Sequence, residues 1–205
     1  MSRISCFVAR LSVCSLLVIC ARPMAAQSTD SLPFRARQWG AEFSAGNGFG
    51  SAGLLRFHSA RRALVLDIGG SASHGSRSAE STTTNSSGLD LRVGERFYRP
   101  ITRRVVQFAT IGVGARHSNN TTSVTWLGGT AEQKERMSAA GIFGGVGAGW
   151  MVTPQLSLGA AYEGRVDYAR THLEIRGSQS NDRTEDLNQV QFSFGNVALR
   201  VTLYF

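Results

Sequence analysis

The sequence predicts an all-β fold: an eight-stranded antiparallel up-and-down β-barrel that crosses a membrane on its strands. Three observations carry this expectation. Runs of roughly ten residues alternate apolar and polar side chains and end in turn residues. The connections between them alternate between short and long. The last run, Val197–Phe205, stays apolar on one face up to the final residue. No long stretch has the 3.6-residue period of an amphipathic helix. Past the first residues, none approaches the roughly 18 apolar residues of a spanning helix, so any membrane span must be β.

Residues 1–26 read as a secretory signal peptide that is removed. Arg3 and Arg10 supply its positive region, Leu11–Cys20 its apolar core, and Met24-Ala-Ala26 a small-residue cleavage site. A lipoprotein box at Cys20 is disfavoured, because Ile19 stands where a small residue is needed. All three cysteines, Cys6, Cys14 and Cys20, leave with the signal, so the mature chain forms no disulfide. Removing Arg3, Arg10 and Arg22 lowers the formal charge from +8 to +5. The remaining excess is not gathered on one periodic face, which argues against nucleic acid and for anionic lipid head groups. Residues 27–37 are expected to form a short periplasmic N-terminal segment, and residues 38–205 the barrel.

Eight strands are expected: Gln38–Gly46, Ser51–His58, Ala63–Ser73, Gly88–Arg99, Arg104–Arg116, Met137–Val152, Leu156–Thr171 and Gln189–Phe205. The short connections are 59–62, 100–103 and 153–155. The long polar ones centre on 78–87, 119–136 and 173–188. Short turns on one rim and long loops on the other is how a transmembrane barrel divides its turns between periplasm and exterior.

Alternate residues of a strand point to opposite faces, so each run can be split in two. Outward positions include Trp39, Phe43, Leu55, Phe57, Leu64, Leu66, Ile68, Leu89, Leu91, Val93, Phe97, Ile111, Val113, Ile142, Val146, Trp150, Leu158, Tyr162, Val166 and Tyr168. The inward set is charged: the acids Glu42, Asp67, Asp90, Glu163 and Asp167, and the arginines Arg56, Arg92, Arg96, Arg165 and Arg200. Eight strands enclose little more than side chains. An unpaired charge there costs several kcal/mol, so these residues are expected to pair as a network that plugs the lumen.

Some positions are left with two readings. Glu95 shares the parity of lipid-facing Val93 and Phe97, which implies either a bulge or, preferably, an interfacial position. Phe192 and Phe194 have inward parity unless a bulge at Gly195-Asn196 turns them out. Gly141, Gly145, Gly147 and Gly149 face inward on the sixth strand, either to make room for long arginines or to set curvature. Trp39, Trp150, Tyr204 and Phe205 gather at the short-turn rim as an aromatic girdle. Arg61, Arg62, Arg99, Arg103 and Arg104 crowd the same rim, either to meet inner-leaflet phosphates or simply as solvated turn residues.

Val197, Leu199, Val201, Leu203 and Phe205 resemble the terminal assembly signal of bacterial outer-membrane barrels. The chain from Trp39 to Phe205 resembles the small eight-stranded family that includes OmpX and the membrane domain of OmpA. The resemblance implies a non-enzymatic, porin-like or structural protein of the Gram-negative cell envelope, located in the outer membrane. It implies a monomer without cofactor, whose partners are outer-membrane lipids, lipopolysaccharide and the barrel-assembly machinery. Arg77, Arg116, Arg136, Arg170 and Arg176 are the candidates for lipopolysaccharide phosphates. The alternatives are a lipid A-modifying enzyme and a carrier of small hydrophobic ligands. For the first, His117-Ser118 and His74-Gly-Ser76 offer the right residue types, but neither matches the His-x-Ser-Asn arrangement of lipid A deacylases. The second needs an apolar cavity, which the inward charges oppose. No metal site is expected, because His58, His74, His117 and His172 are scattered.

Overall fold

The computed structural model describes residues 33–46, 49–77, 81–126, 129–177 and 182–205. Residues 1–26, expected to be a removed signal, most of the segment before the barrel and the tips of four hairpins lie outside the described residues. Eight antiparallel strands close into one ring in chain order. They are β1 (Trp39–Gly46), β2 (Phe49–Ser59), β3 (Arg62–Arg77), β4 (Thr82–Pro100), β5 (Val105–Trp126), β6 (Gly129–Thr153), β7 (Leu156–Gly177) and β8 (Arg183–Tyr204).

Register fixes the shape of the ring. A path of paired residues leaves β8 at Val201, crosses Phe43, Ala52, Ile68, Leu91, Ala115, Ala140 and Tyr168, and returns to β8 at Val190. The return lies eleven residues further along, one of which is the bulged Gly195, so the stagger is ten. For eight strands this corresponds to a tilt of about 40°, and each residue climbs about 2.5 Å along the axis.

The strands run well past their expected ends on the hairpin side. The polar stretches 82–87, 117–136 and 172–188 are almost entirely paired strand rather than long loops. Both faces of these extensions carry mostly polar side chains, so no apolar period marks them. Backbone pairing and threonine-rich cross-strand contacts suffice, as at Thr125 and Thr130. β1 and β2 are much shorter, which makes the wall uneven in height.

The outer surface between the rims is an apolar belt of Phe43, Leu66, Ile68, Leu91, Val113, Ile142, Val166 and their neighbours. Trp39 and Trp150 stand outward near the short-turn rim. Glu95 also faces outward with no bulge in the β3–β4 register, and its carboxylate meets His58 Nε2 at 3.2 Å near that rim. Phe192 and Phe194 are each 68% exposed, because the register shifts by one residue after Glu163 and leaves Gly195 unpaired at φ +90°. That left-handed backbone suits glycine, and the bulge resets which face every later residue of β8 presents.

β2 has the opposite parity to the one expected. Leu55 and Phe57 point inward and are completely buried, while Arg56 and His58 point outward. The cause is an apolar floor in the lumen at the short-turn end. Phe34 reaches in from the segment before β1 and stacks on Phe57 at 4.7 Å between centroids. Tyr98 lies 4.7 Å from Phe34 and Tyr204 lies 5.0 Å from it. Tyr204 therefore belongs to this floor and not to the outer girdle, its hydroxyl hydrogen-bonded to Ser157 at 3.0 Å. The strand entry is tied down as well: Arg37 N–H donates to Phe57 O at 2.7 Å, and Phe57 N–H donates to Gln38 O at 2.9 Å. Phe34 is only 3% exposed. Replacing it with Ala is expected to lower unfolding stability by about 3 kcal/mol, measured by urea titration of the folded protein in detergent.

Candidate functional site

Two flat rings set the chamber above the aromatic floor. Phe108 of β5 lies where a side chain on Gly147 would sit: a Cβ there would be 2.4 Å from the ring. Phe143 of β6 similarly occupies the space left open by Gly94 and Gly112, whose Cβ atoms would be 3.1 and 2.7 Å from it. Gly141 and Gly145 make room for the Asp167 and Glu163 side chains. The glycines of β6 therefore accommodate a ring and two carboxylates, whereas the arginines Arg92 and Arg165 lie against Gly114 of β5.

The charged side chains above and around these rings form a single alternating chain. At its lower end Arg96 donates to both oxygens of Glu42, at 2.6 and 2.9 Å, and to Thr110 Oγ1 at 3.1 Å. Glu42 also accepts from Arg200 and from Thr202, the latter at 3.1 Å. Arg200 bridges to Glu163, and Glu163 accepts from Arg92 at 2.9 Å. Arg92 Nε reaches Asp90 at 2.5 Å, and the other Asp90 oxygen takes Arg165 Nη1 at 2.6 Å. Arg165 Nε donates to Asp167 at 2.6 Å, and Arg116 ends the series 3.3 Å from Asp167 and hydrogen-bonded to Gln191. Five guanidinium groups thus alternate with four carboxylates. The fifth carboxylate, Asp67, stands beside the chain and accepts from Ser51 at 3.1 Å. Phe108 presents its face to Arg96 and Arg200, at 4.8 and 5.7 Å, and Phe143 presents its face to Arg92 at 5.8 Å.

Nine of the ten residues expected in the interior, Glu42, Asp67, Asp90, Arg92, Arg96, Glu163, Arg165, Asp167 and Arg200, point into the lumen. Arg56 does not. Its guanidinium lies outside, 5.3 Å over the Trp39 ring, because its cross-strand partner Trp39 faces outward and paired residues share a face. Arg116 takes the fifth arginine's place inside, so it is not one of the rim arginines. Its parity with Thr110, Gly112 and Gly114 is the signal that identifies it.

At the hairpin rim the ion pairs are exposed. Asp186 accepts from His172 Nδ1 at 2.8 Å and from Arg170 at 3.2 Å. Arg176 pairs with Glu174 and Arg183 with Glu185. Arg61, Arg62, Arg99, Arg103 and Arg104 are exposed at the opposite rim, and Arg62 lies over the Phe97 ring at 5.4 Å. His117 and Ser118 point to opposite faces. His117 Nδ1 instead meets Ser138 across the β5–β6 pair at 2.9 Å, and His74 meets Asn85 at 2.5 Å. Among the described residues no carboxylate contacts either ring. No group of three His, Cys, Asp or Glu there is placed to hold a metal.

Glu42 satisfies two arginines, so Glu42→Gln is expected to destabilise the folded barrel by about 3 to 5 kcal/mol. Adding Arg96→Met should recover part of that loss, measured as a coupling energy in a urea double-mutant cycle. The contacts from His172 and Arg170 hold the Asp186 carboxyl below its usual value of 3.8. A depressed carboxylate stabilises the fold above its unfolded pKa and loses that contribution as pH falls through the folded one. Protection of the β7 and β8 amides near Asp186 against hydrogen exchange, relative to their intrinsic rates, should therefore fall below about pH 4 and lose this dependence in Asp186→Asn.

No protein-family model matches the chain, and no curated protein sequence does. Solved structures do resemble it. A major outer membrane protein from Thermus thermophilus aligns with a TM-score of 0.60 at 14% identity, covering 82% of this chain and 98% of that one. Acinetobacter baumannii CarO aligns at 0.48 with 11% identity over 86% of this chain and 100% of its own. Ail, the attachment invasion locus protein of Yersinia pestis, aligns at 0.43 with 14% identity over 82% and 94%. At such identities the shared property is the fold alone, a closed antiparallel β-barrel, which in this chain has the eight up-and-down strands that its sequence predicts.

Proposed function

We propose that the protein is an integral barrel of a bacterial outer membrane, with a lumen closed to ions and a non-enzymatic role at the cell surface carried by its long hairpins. One observation supports this above all. The outward face between the rims is a continuous apolar belt, while the inward face carries the alternating chain from Arg96 to Arg116. A protein surrounded by water would reverse that arrangement. The aromatic floor below the ions and the bidentate Arg96–Glu42 contact favour a closed lumen over a pore. With the short turns toward the periplasm, the extensions of β5 to β8 would rise about 25 Å beyond the lipid as a sheet with two wet faces.

That sheet is where surface contacts would be made, and the exposed Arg136, Arg170 and Arg176 are placed to meet lipopolysaccharide phosphates. The exposed His117–Ser138 contact has no carboxylate to orient the imidazole, which supports a non-enzymatic reading. The folded protein is expected to migrate differently before and after boiling, and to add no stepwise conductance to planar bilayers. Discrete ion-conducting steps from wild-type protein would overturn the closed lumen. Lipid A of unchanged mass on overexpression is the expected result for the non-enzymatic reading.

A further inference from the structure

One stretch of the outer wall carries charge where the apolar belt begins. Arg62 opens β3 and His58 stands one residue from the end of β2, so both lie at the short-turn rim. One row further from that rim, the register aligns Trp39, Arg56, Leu64 and Glu95 across β1 to β4. Arg56, His58, Arg62, Leu64 and Glu95 line a shallow depression of about 530 Å³ on the outer face. Leu64 is its apolar member, and the next row into the belt is the exposed Leu54, Leu66 and Val93. The depression therefore has a charged end at the rim and an oily end in the belt.

Its charges are only partly matched within the protein. The Arg56 guanidinium lies 5.3 Å over the Trp39 ring and the Arg62 guanidinium 5.4 Å over the Phe97 ring. Among the described residues neither guanidinium makes an ion pair or a hydrogen bond. Held over a ring, each keeps its in-plane N–H groups for an acceptor. Glu95 Oε1 meets His58 Nε2 at 3.2 Å, and Glu95 Oε2 has no partner among the described residues. In water such groups need nothing more. At the edge of an acyl layer a charge is costly unless its end reaches a polar head group. The wall thus presents two sets of cationic donors and one anionic acceptor, and a head group that satisfies all three must carry the opposite signs.

We propose that this depression binds a phospholipid of the leaflet on the short-turn side, through a head that carries both a phosphate and a primary ammonium. The phosphate accepts from Arg56 and Arg62, the ammonium donates to Glu95, and an acyl chain lies over Leu64 and Leu66. A head with a phosphate alone would meet the two arginines but would also face the Glu95 carboxylate, a like charge. The site lies at the opposite rim from the hairpins assigned to surface contacts. It rests on the reading of the protein as an integral membrane barrel.

Native mass spectrometry of the folded protein, released from a nonionic detergent, counts the lipids that stay bound. The probes are phosphatidylethanolamine, phosphatidylglycerol and diacylglycerol of equal chain length, with tail-free phosphoethanolamine in parallel. One saturable phosphatidylethanolamine is expected, bound about tenfold tighter than phosphatidylglycerol, with diacylglycerol weaker than both. Glu95→Gln should remove the preference between the two phospholipids. Arg56→Gln combined with Arg62→Gln should weaken phosphatidylethanolamine about tenfold. Arg103→Gln combined with Arg104→Gln removes the same charge elsewhere on the rim and should leave the affinity unchanged. Phosphatidylglycerol bound as tightly as phosphatidylethanolamine by the wild-type protein would overturn the proposal. So would equal losses in the two arginine pairs, absent binding, or phosphoethanolamine bound as tightly as the lipid, which would make the site one reached from water. Heat-dependent gel mobility of each protein separates this failure from failure of the membrane-barrel reading, since a protein that never forms a barrel shows no folded band.

Discussion

Everything in this barrel depends on keeping charges paired in a lumen too narrow to hydrate them fully. Taking a carboxylate or guanidinium out of water costs several kcal/mol per ion, and only close, multiply hydrogen-bonded contacts return that cost. The chain from Arg96 to Arg116 meets the condition by alternation, with each internal member touching an opposite charge on both sides. Its members come from β1, β4, β5, β7 and β8, so the ion network ties distant strands across the lumen as well as neutralising it. Arginine suits this role better than lysine, since one planar guanidinium can serve two carboxylates at once, as Arg165 does with Asp90 and Asp167.

The network needs a support, and the glycines and aromatics provide it. Phe108 and Phe143 lie flat only because Gly147, Gly94 and Gly112 carry no side chains, and their faces then receive Arg96, Arg200 and Arg92. Below them the cluster of Phe34, Phe57, Tyr98 and Tyr204 separates the ions from the short-turn rim. The lumen is thus layered: apolar at one end, ionic in the middle, and open and polar at the other, where the β1–β2 hairpin stops short.

Most of this was legible in period two. Strand number, the outward belt and nine of the ten interior charges follow from alternation, because a strand has only two faces and lipid accepts only one kind of side chain. What alternation cannot tell is which face is which when the lumen itself turns apolar. Leu55 and Phe57 would satisfy lipid or the aromatic floor equally well, so the sign of β2 is set by Phe34, a residue outside any strand. Arg56 and Arg116 exchange places for that reason and for a second one: Arg116 stands at the upper limit of the apolar belt, where pairing continues after the pattern has faded. The hairpin extensions were hidden by the same physics, since a sheet wetted on both sides needs no apolar stripe.

The last strand shows how much one residue can decide. From Val197 onward the odd positions of β8 face out, while before Gly195 the even positions do. A strand of fixed parity that kept Arg200 inside would turn Phe192 and Phe194 into the ionic chamber and Gln191 and Ser193 into the apolar belt. Arg116 would then lose Gln191, its partner at the open end of the ion chain. The unpaired Gly195 removes the conflict by adding one residue at a left-handed backbone angle that a side chain would resist. It also places the bend of β8 beside Asn196, Val197 and Ala198, which line the interior cavity together with Arg92, Arg116 and Arg165.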